Sequence, residues 1–246
     1  MSRFVTANTV INRAALECGL LPVNDPVSSA DESFVQLTGL LTSCGQELVE
    51  MHPWQGLRKK FSFTTQAGDT GSYELPDDFG YMVDQTGWNK SGRLPVWGPL
   101  SAQEWSFLDG ADFLDTPMYA MFQLENNELQ LYPQPPPEGI EIAFQYISRN
   151  WAQQPNTNPP ITQDTIETGQ DIVLYEPIMV VKYLTTKFKS AKGFDASVPA
   201  MEFERIFLSR TGKDAGASVL NAARSTSGLP MLGYNNAPWS GYGHGS

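Results

Sequence analysis

The chain has 246 residues, a formal net charge of −11 at pH 7, two cysteines and two histidines. That length holds one large domain or two small ones with a sizeable core, and no run approaches the roughly 18 apolar residues of a membrane span. The acidity is local: thirteen acidic side chains lie between Phe61 and Ser148 against only Lys90 and Arg93, so this block carries the whole excess and its flanks are balanced. A wall of that sign repels nucleic acid rather than gripping it, although a plain solubilising surface has the same composition. The opening MSRFVTANTV lacks the basic start and apolar core of a signal peptide. Cys18 and Cys44 read as buried free thiols rather than a disulfide, as expected for folding in a reducing cytosol.

In chain order, Thr6 to Leu20 carries Val10, Ile11, Ala14, Ala15 and Cys18 at helical spacing, with Thr6 or Asn8 as cap and Gly19 as stop. Ser28 or Ser29 ahead of Asp31 and Glu32 opens a second helix with Phe34, Leu37, Leu40, Leu41, Cys44, Leu48 and Met51 on one face. His52-Pro53-Trp54 ends it, because proline disfavours helix at the residue before it. The only basic triplet, Arg58-Lys59-Lys60, is a candidate ionic contact to an acidic protein surface, or else an ordinary charged helix–strand junction. Phe61 begins a β block. Tyr73 to Phe79 reads as a strand with a Pro-Asp corner, Val83 to Trp88 and Leu94 to Trp97 as short strands, and Ser101 to Leu108 as a helix capped by Ser101 and Glu104. After the acidic loop Asp109 to Asp115, the stretch from Thr116 to Trp151 is expected at the centre of the block. Alternating runs flank Glu125-Asn126-Asn127-Glu128, and asparagine tolerates the left-handed backbone of a tight turn. A third alternating run, Ile140 to Tyr146, follows the proline-rich Pro133 to Pro137, and the three predict a meander.

Gln153 to Pro160 reads as a linker, and Ile161 to Leu174 as irregular chain or a short strand. Helical spacing returns from Glu176 through Phe188, and a last helix starts near Ser197 as cap and Pro199, with Phe203, Ile206, Phe207, Val219 and Leu220 along it. From Ser227 the composition changes: no Lys, Arg, Asp or Glu, but Leu229, Pro230, Met231, Leu232, Tyr234, Trp239 and Tyr242 among glycines. Such a segment cannot build a core of its own, so these seven residues are candidate contacts to a neighbouring copy or a partner. The predicted fold class is α+β: a bundle of about four helices (1–57 and 161–226), an inserted antiparallel β-sandwich-like block (58–152) and an extended C-terminal arm (227–246).

Catalytic signals are weak. His52 and His244 are the only imidazoles, and no Gly-x-Ser-x-Gly occurs, so a hydrolytic triad is not expected. Gly212-Lys213-Asp214 lacks the preceding glycine and the Ser/Thr of a phosphate loop. Asp109, Asp112 and Asp115 do not have the spacing of a calcium loop. No catalytic residue, metal site or cofactor is expected. Two alternatives stay open: an enzyme acting on glycans through a carboxylate pair in the acidic block, and a glycan-binding β module using Trp88, Trp97 and Trp105, each of which core packing also explains.

Several motifs together resemble the head-to-tail adaptors of short-tailed bacteriophages, also called tail accessory factors or tail tubular protein A. They are Ile11 to Gly19 with a proline soon after; His52-Pro53-Trp54 followed by a basic strand start and Tyr73-Glu74-Leu75-Pro76-Asp77-Asp78-Phe79; Pro117 to Ala120, Leu129 to Pro135 and Phe144-Gln145-Tyr146; and Lys192-Gly193-Phe194-Asp195. The likeness spans Thr6 to Ala223; the uncharged tail is a departure, since only some adaptors have one. The resemblance implies a structural virion protein rather than an enzyme. Its copies, usually twelve, form a ring seated under the portal protein, with the arm reaching the portal or a neighbour. The β block offers a platform for a downstream nozzle or fibre protein, and double-stranded DNA passes through without sequence recognition. It also implies a place at the head–tail junction of the virion after assembly in the host cytoplasm.

Overall fold

The structure, a computed structural model, describes residues 4–111 and 120–214. The chain opens with β1 (Val5–Thr6), α1 (Ala7–Glu17) and α2 (Glu32–Met51). α1 stops three residues short of the expected Leu20, and Thr6 caps it without a side-chain hydrogen bond because its hydroxyl bonds Thr9 instead (2.9 Å). Asp31, not Ser28 or Ser29, caps α2, its carboxylate accepting from the Ser33 amide at 2.8 Å. Pro53 ends α2 as expected, and His52 is extended.

The β block contains β2 (Arg58–Thr64), β3 (Ser72–Glu74), β4 (Phe79–Met82), β5 (Trp88–Asn89), β6 (Leu94–Pro95), α3 (Ala102–Ala111), β7 (Met121–Glu125), β8 (Glu128–Tyr132) and β9 (Glu141–Ser148). Pro76 splits the expected Tyr73–Phe79 strand into β3 and β4, and of the expected Val83–Trp88 strand only Trp88 falls in a strand, although the Val83 amide also donates to the Gln145 carbonyl of β9 at 2.9 Å. α3 opens with the anticipated capping box: the Ser101 amide donates to Glu104 Oε2 (2.8 Å) and the Glu104 amide to Ser101 Oγ (3.3 Å).

The central meander needs correction. β7 and β8 form the expected hairpin, with Asn126 and Asn127 at φ 50° and 64°. β9 does not join them. The five residues from Pro133 to Pro137 offer almost no backbone donors, so no second hairpin zips up, and β3 takes the free edge of β8 instead. β9 crosses to a second sheet, where β2 pairs with its whole length and β4 and β5 share its other edge. The two sheets bury one core between them: Leu75, Phe122, Leu129 and Leu131 against Ile142, Phe144 and Tyr146.

β9 also reaches a second core. Ile147 and, just beyond the strand, Trp151 and Ala152 pack with α1, α2 and α4 (Pro177–Ala191). β9 is therefore buried on both faces, with Ile142, Ala143, Phe144, Tyr146 and Ile147 all buried along it. A small third sheet of two-residue strands, in the order β1-β12-β10-β11, holds β10 (Ala152–Gln153), β11 (Thr162–Gln163) and β12 (Ile172–Val173). It ties the start of the chain to the segment expected to be irregular. Asp171, almost wholly buried, braces it by accepting from the Glu167 and Thr168 amides, Thr168 Oγ1 and Gln163 Nε2 at 2.7–2.8 Å.

α5 (Ser197–Asp214) leans on α4. Ser197 is its first residue rather than its cap: Asp195 accepts from the Ser197 amide at 2.9 Å. Val219 and Leu220 lie outside the described residues, and so does the arm. The described architecture is α+β, five helices with three antiparallel sheets. Cys18 and Cys44 are free thiols; burial pushes the Cys44 thiol up to about 12, with Glu47 adding to it.

Candidate functional site

The basic triplet falls on β2, where side chains alternate between faces. Arg58 and Lys60 point outward and are exposed, while Lys59 shares the inner face with Phe61 and Phe63. Lys59 Nζ donates to Asp78 Oδ2 (2.6 Å) and Thr162 Oγ1 (3.0 Å). Asp78 also accepts from Ser148 Oγ (2.6 Å) and Tyr146 OH (2.9 Å). The Asp78 carboxylate thereby joins β2 to β9, and Lys59 carries the link on to β11, where the β block meets the helical body. Burial would raise its pKa, but the bonds from Lys59, Ser148 and Tyr146 outweigh that and hold it below the usual carboxylate range. Sequence reading missed this joint because its bonded partners are 19 to 103 positions apart in the chain.

His52 sits at the end of α2 with its ring edge-on to Trp54, 4.7 Å between centroids. Its Nε2 lies 3.4 Å from Asp214 Oδ2 in the last turn of α5 and makes no hydrogen bond there. Asp214 also accepts from the Gln55 amide (2.8 Å). These groups fasten α5 to α2 beside a cavity of about 290 Å³ lined by Phe4, Trp54, Gln55, Tyr175, Arg210 and Asp214. No serine or cysteine is among the lining residues, so His52 has no nucleophile there to activate. Arg210 in turn bonds Glu176 at 3.0 Å.

Beyond Arg210 a second groove, about 350 Å³, runs along the flank of α5 beside the start of α4, lined by Ile178, Arg205, Ile206, Ser209, Arg210 and Lys213. It holds three cations and no acid. On the β block, the register places Glu74 opposite Glu128 and Glu128 opposite Glu125, three carboxylates abreast on β3, β8 and β7. Their partners are neutral: Ser72 Oγ bonds Glu128, and Gln123 and Gln130 donate to Glu125 at 3.2 and 3.4 Å. Trp88 and Trp97 are exposed, whereas Trp105 is half-buried, edge-on to Tyr132 with centroids 6.2 Å apart.

The arm residues Leu229, Pro230, Met231, Leu232, Tyr234, Trp239 and Tyr242 lie outside the described residues, as do Asp112, Asp115 and His244; Asp109 falls in α3. Among the described residues no group of three or more His, Cys, Asp or Glu side chains gathers as a metal site, and no helix is long and apolar enough to cross a membrane.

The buried polar groups of this molecule mostly tie its own elements together, and its distinctive outward features are a one-sided helix and an acidic β face. Those are the features of an assembly component. A family model described as SU10 adaptor protein matches residues 5–216, and the chain belongs to that family. No curated protein matches it. Membership makes it a structural adaptor of a phage virion, with a place at the head–tail junction.

Proposed function

We propose that copies of this chain, twelve in number, form a ring beneath the portal through which double-stranded DNA passes during ejection, and to which a nozzle or fibre protein attaches from below. Such a ring assembles in the host cytoplasm and has no catalytic step. The observation that carries this reading is the charge separation within one family-matched chain: the acid excess is confined to the β block, with few cations to hold phosphates. A conduit for DNA has to touch it weakly, since each phosphate neutralised by a cation adds affinity that slows passage. In this reading residues 1–57 with 161–226 form the ring-building unit, 58–152 the platform and 227–246 an arm. The arm contacts the portal or a neighbour through Leu229 to Leu232, Tyr234, Trp239 and Tyr242. Arg58 and Lys60 are the members of the basic triplet with outward charge for an ionic contact, Lys59 being occupied by Asp78.

The test is native mass spectrometry of the chain alone and after mixing with a portal ring. Addition to the portal in a fixed multiple supports the reading; a chain that stays monomeric in both samples removes it.

A further inference from the structure

α5 has 18 residues and buries only Pro199. Val198, Met201 and Leu208, which fall with Arg205 at i, i+3, i+7 and i+10 on one stripe, are 57%, 62% and 63% exposed. The cationic groove borders this stripe. Arg205 and Lys213 make no hydrogen bond or close ion pair among the described residues; of the three acids on the helix, Glu202 is held by Lys182 at 2.8 Å with Arg205 adding a weaker attraction, Asp214 accepts from the Gln55 amide, and Glu204 is exposed. An apolar stripe edged with unpaired cations, on a chain of net charge −11, fits an acidic protein surface. A twofold contact centred on Arg205 would set cation against cation, which disfavours pairing of this stripe with itself.

The chain carries a matching surface. Like charges abreast on neighbouring strands are destabilising, yet Glu74, Glu128 and Glu125 stand in register with no cation among the described residues to offset them. They do not gather as a metal site. Glu74 and Glu125 are exposed, and Glu128 is half-buried.

We propose that the outer face of α5 docks the acidic row of a second copy of this chain, so that copies join head to tail. Two different patches then meet at every contact, and such an interface closes into a ring when the rotation per copy allows. The inference rests on the ring reading above only in requiring that copies associate.

The experiment uses two charge-reversed full-length chains, Arg205→Glu/Lys213→Glu and Glu74→Lys/Glu125→Lys, with far-UV circular dichroism and melting to establish that each folds. All four positions are exposed or half-buried and lie outside the two cores. Analytical ultracentrifugation at low and high salt follows assembly. The unaltered chain associates, less so at high salt. Each variant alone associates at least about tenfold more weakly, since like charges now face each other. An equimolar mixture recovers, because each variant presents the opposite of what the other lost. The row variant also melts no lower than the unaltered chain, since it relieves repulsion in the monomer. Variants that assemble alone like the unaltered chain, or a folded pair that fails to recover on mixing, overturn the inference. If such variants still add to a portal ring, the adaptor reading stands without this interface. An unaltered chain that associates neither with itself nor with the portal removes both.

Discussion

α4 and α5 follow one another and look alike as sequence, each with apolar residues at helical spacing. In the structure α4 buries eight side chains among 15 residues, while α5 buries one among 18. α4 is gripped from several sides, by α1, α2 and α5. α5 is held from one side: Phe203 stacks on Tyr183 at 4.3 Å, Phe207 meets Trp54 edge-on at 5.9 Å, and Lys182, Glu176 and Gln55 tie its length. Periodicity reports that a helix has an apolar face. It does not report whether the same chain covers that face, and in α5 the surplus apolar surface looks outward. The consequence is thermodynamic: equivalent truncations in the two helices should differ severalfold in cost.

The largest effect belongs to α4. Leu184 is fully buried between α1 and α2, and Leu184→Ala should cost about 2–5 kcal/mol of unfolding free energy in a urea titration, because the cavity cannot collapse against neighbouring helices. A loss below about 1 kcal/mol would mean that the tight core around α4 is misplaced. Next comes the contact that joins this core to β9. Trp151 is fully buried, donates from Nε1 to the Asp164 carbonyl (2.8 Å) and lies parallel to Tyr175, whose hydroxyl bonds the Gly45 carbonyl at 2.9 Å. Gly45 sits mid-helix because any Cβ there would fall inside the Trp151 indole. Gly45→Ala gains helix propensity yet should cost about 1–3 kcal/mol through overpacking, read as a lowered denaturant midpoint at unchanged slope. A stabilised variant would show that the indole has room to move.

A comparable effect, with its own signature, belongs to the joint at Asp78. Asp78→Ala leaves Tyr146, Ser148 and a half-buried Lys59 without their acceptor and should cost about 1–3 kcal/mol at neutral pH. The folded carboxyl titrates below its unfolded value of about 3.9, so its ionisation contributes stability fully above that pH and loses it as pH falls through the lower folded value. The gap between the unaltered chain and Asp78→Ala should therefore narrow in acid. A gap that is constant from neutral pH to below the folded value would show that the carboxylate charge contributes nothing.

Much of this fold was legible in the sequence, and what was not has physical causes. Helix positions, the stop at Pro53, the Asn126-Asn127 hairpin and the Ser101–Glu104 box are local devices, readable from a few neighbouring residues. The placement of β9 was not legible, because its alternation fits either sheet, and what decides is that β3 occupies the edge of β8 while β2 pairs along β9. The two-residue strands of the third sheet are too short to show any period, and their brace, Asp171, looks like any loop aspartate until its four donors surround it. The site divides in the same way. The triplet at Arg58 was visible as charge, but the pairing of its middle member with Asp78 is a property of the folded joint. The acidic excess was visible as a count, whereas the row of Glu74, Glu128 and Glu125 appears only once the register is known.

The smallest predicted effect tests the comparison most directly. Leu208→Ser places a hydroxyl where α5 is 63% exposed and should change monomer stability by no more than about 0.5 kcal/mol, an order of magnitude below the upper range for Leu184→Ala. Both substitutions shorten a leucine on a helix of the same body, so the ratio of their costs measures how differently the two apolar faces are used. Measurement at high salt and low protein concentration keeps the chain dissociated, so that the value refers to one copy. A loss above about 1 kcal/mol under those conditions would place a covering segment of the same chain over the stripe, and the face would then be core rather than interface. A near-zero loss leaves Leu208 with no job inside the monomer, and a leucine exposed on one stripe with Arg205 without an internal job is accounted for by what it meets on another molecule.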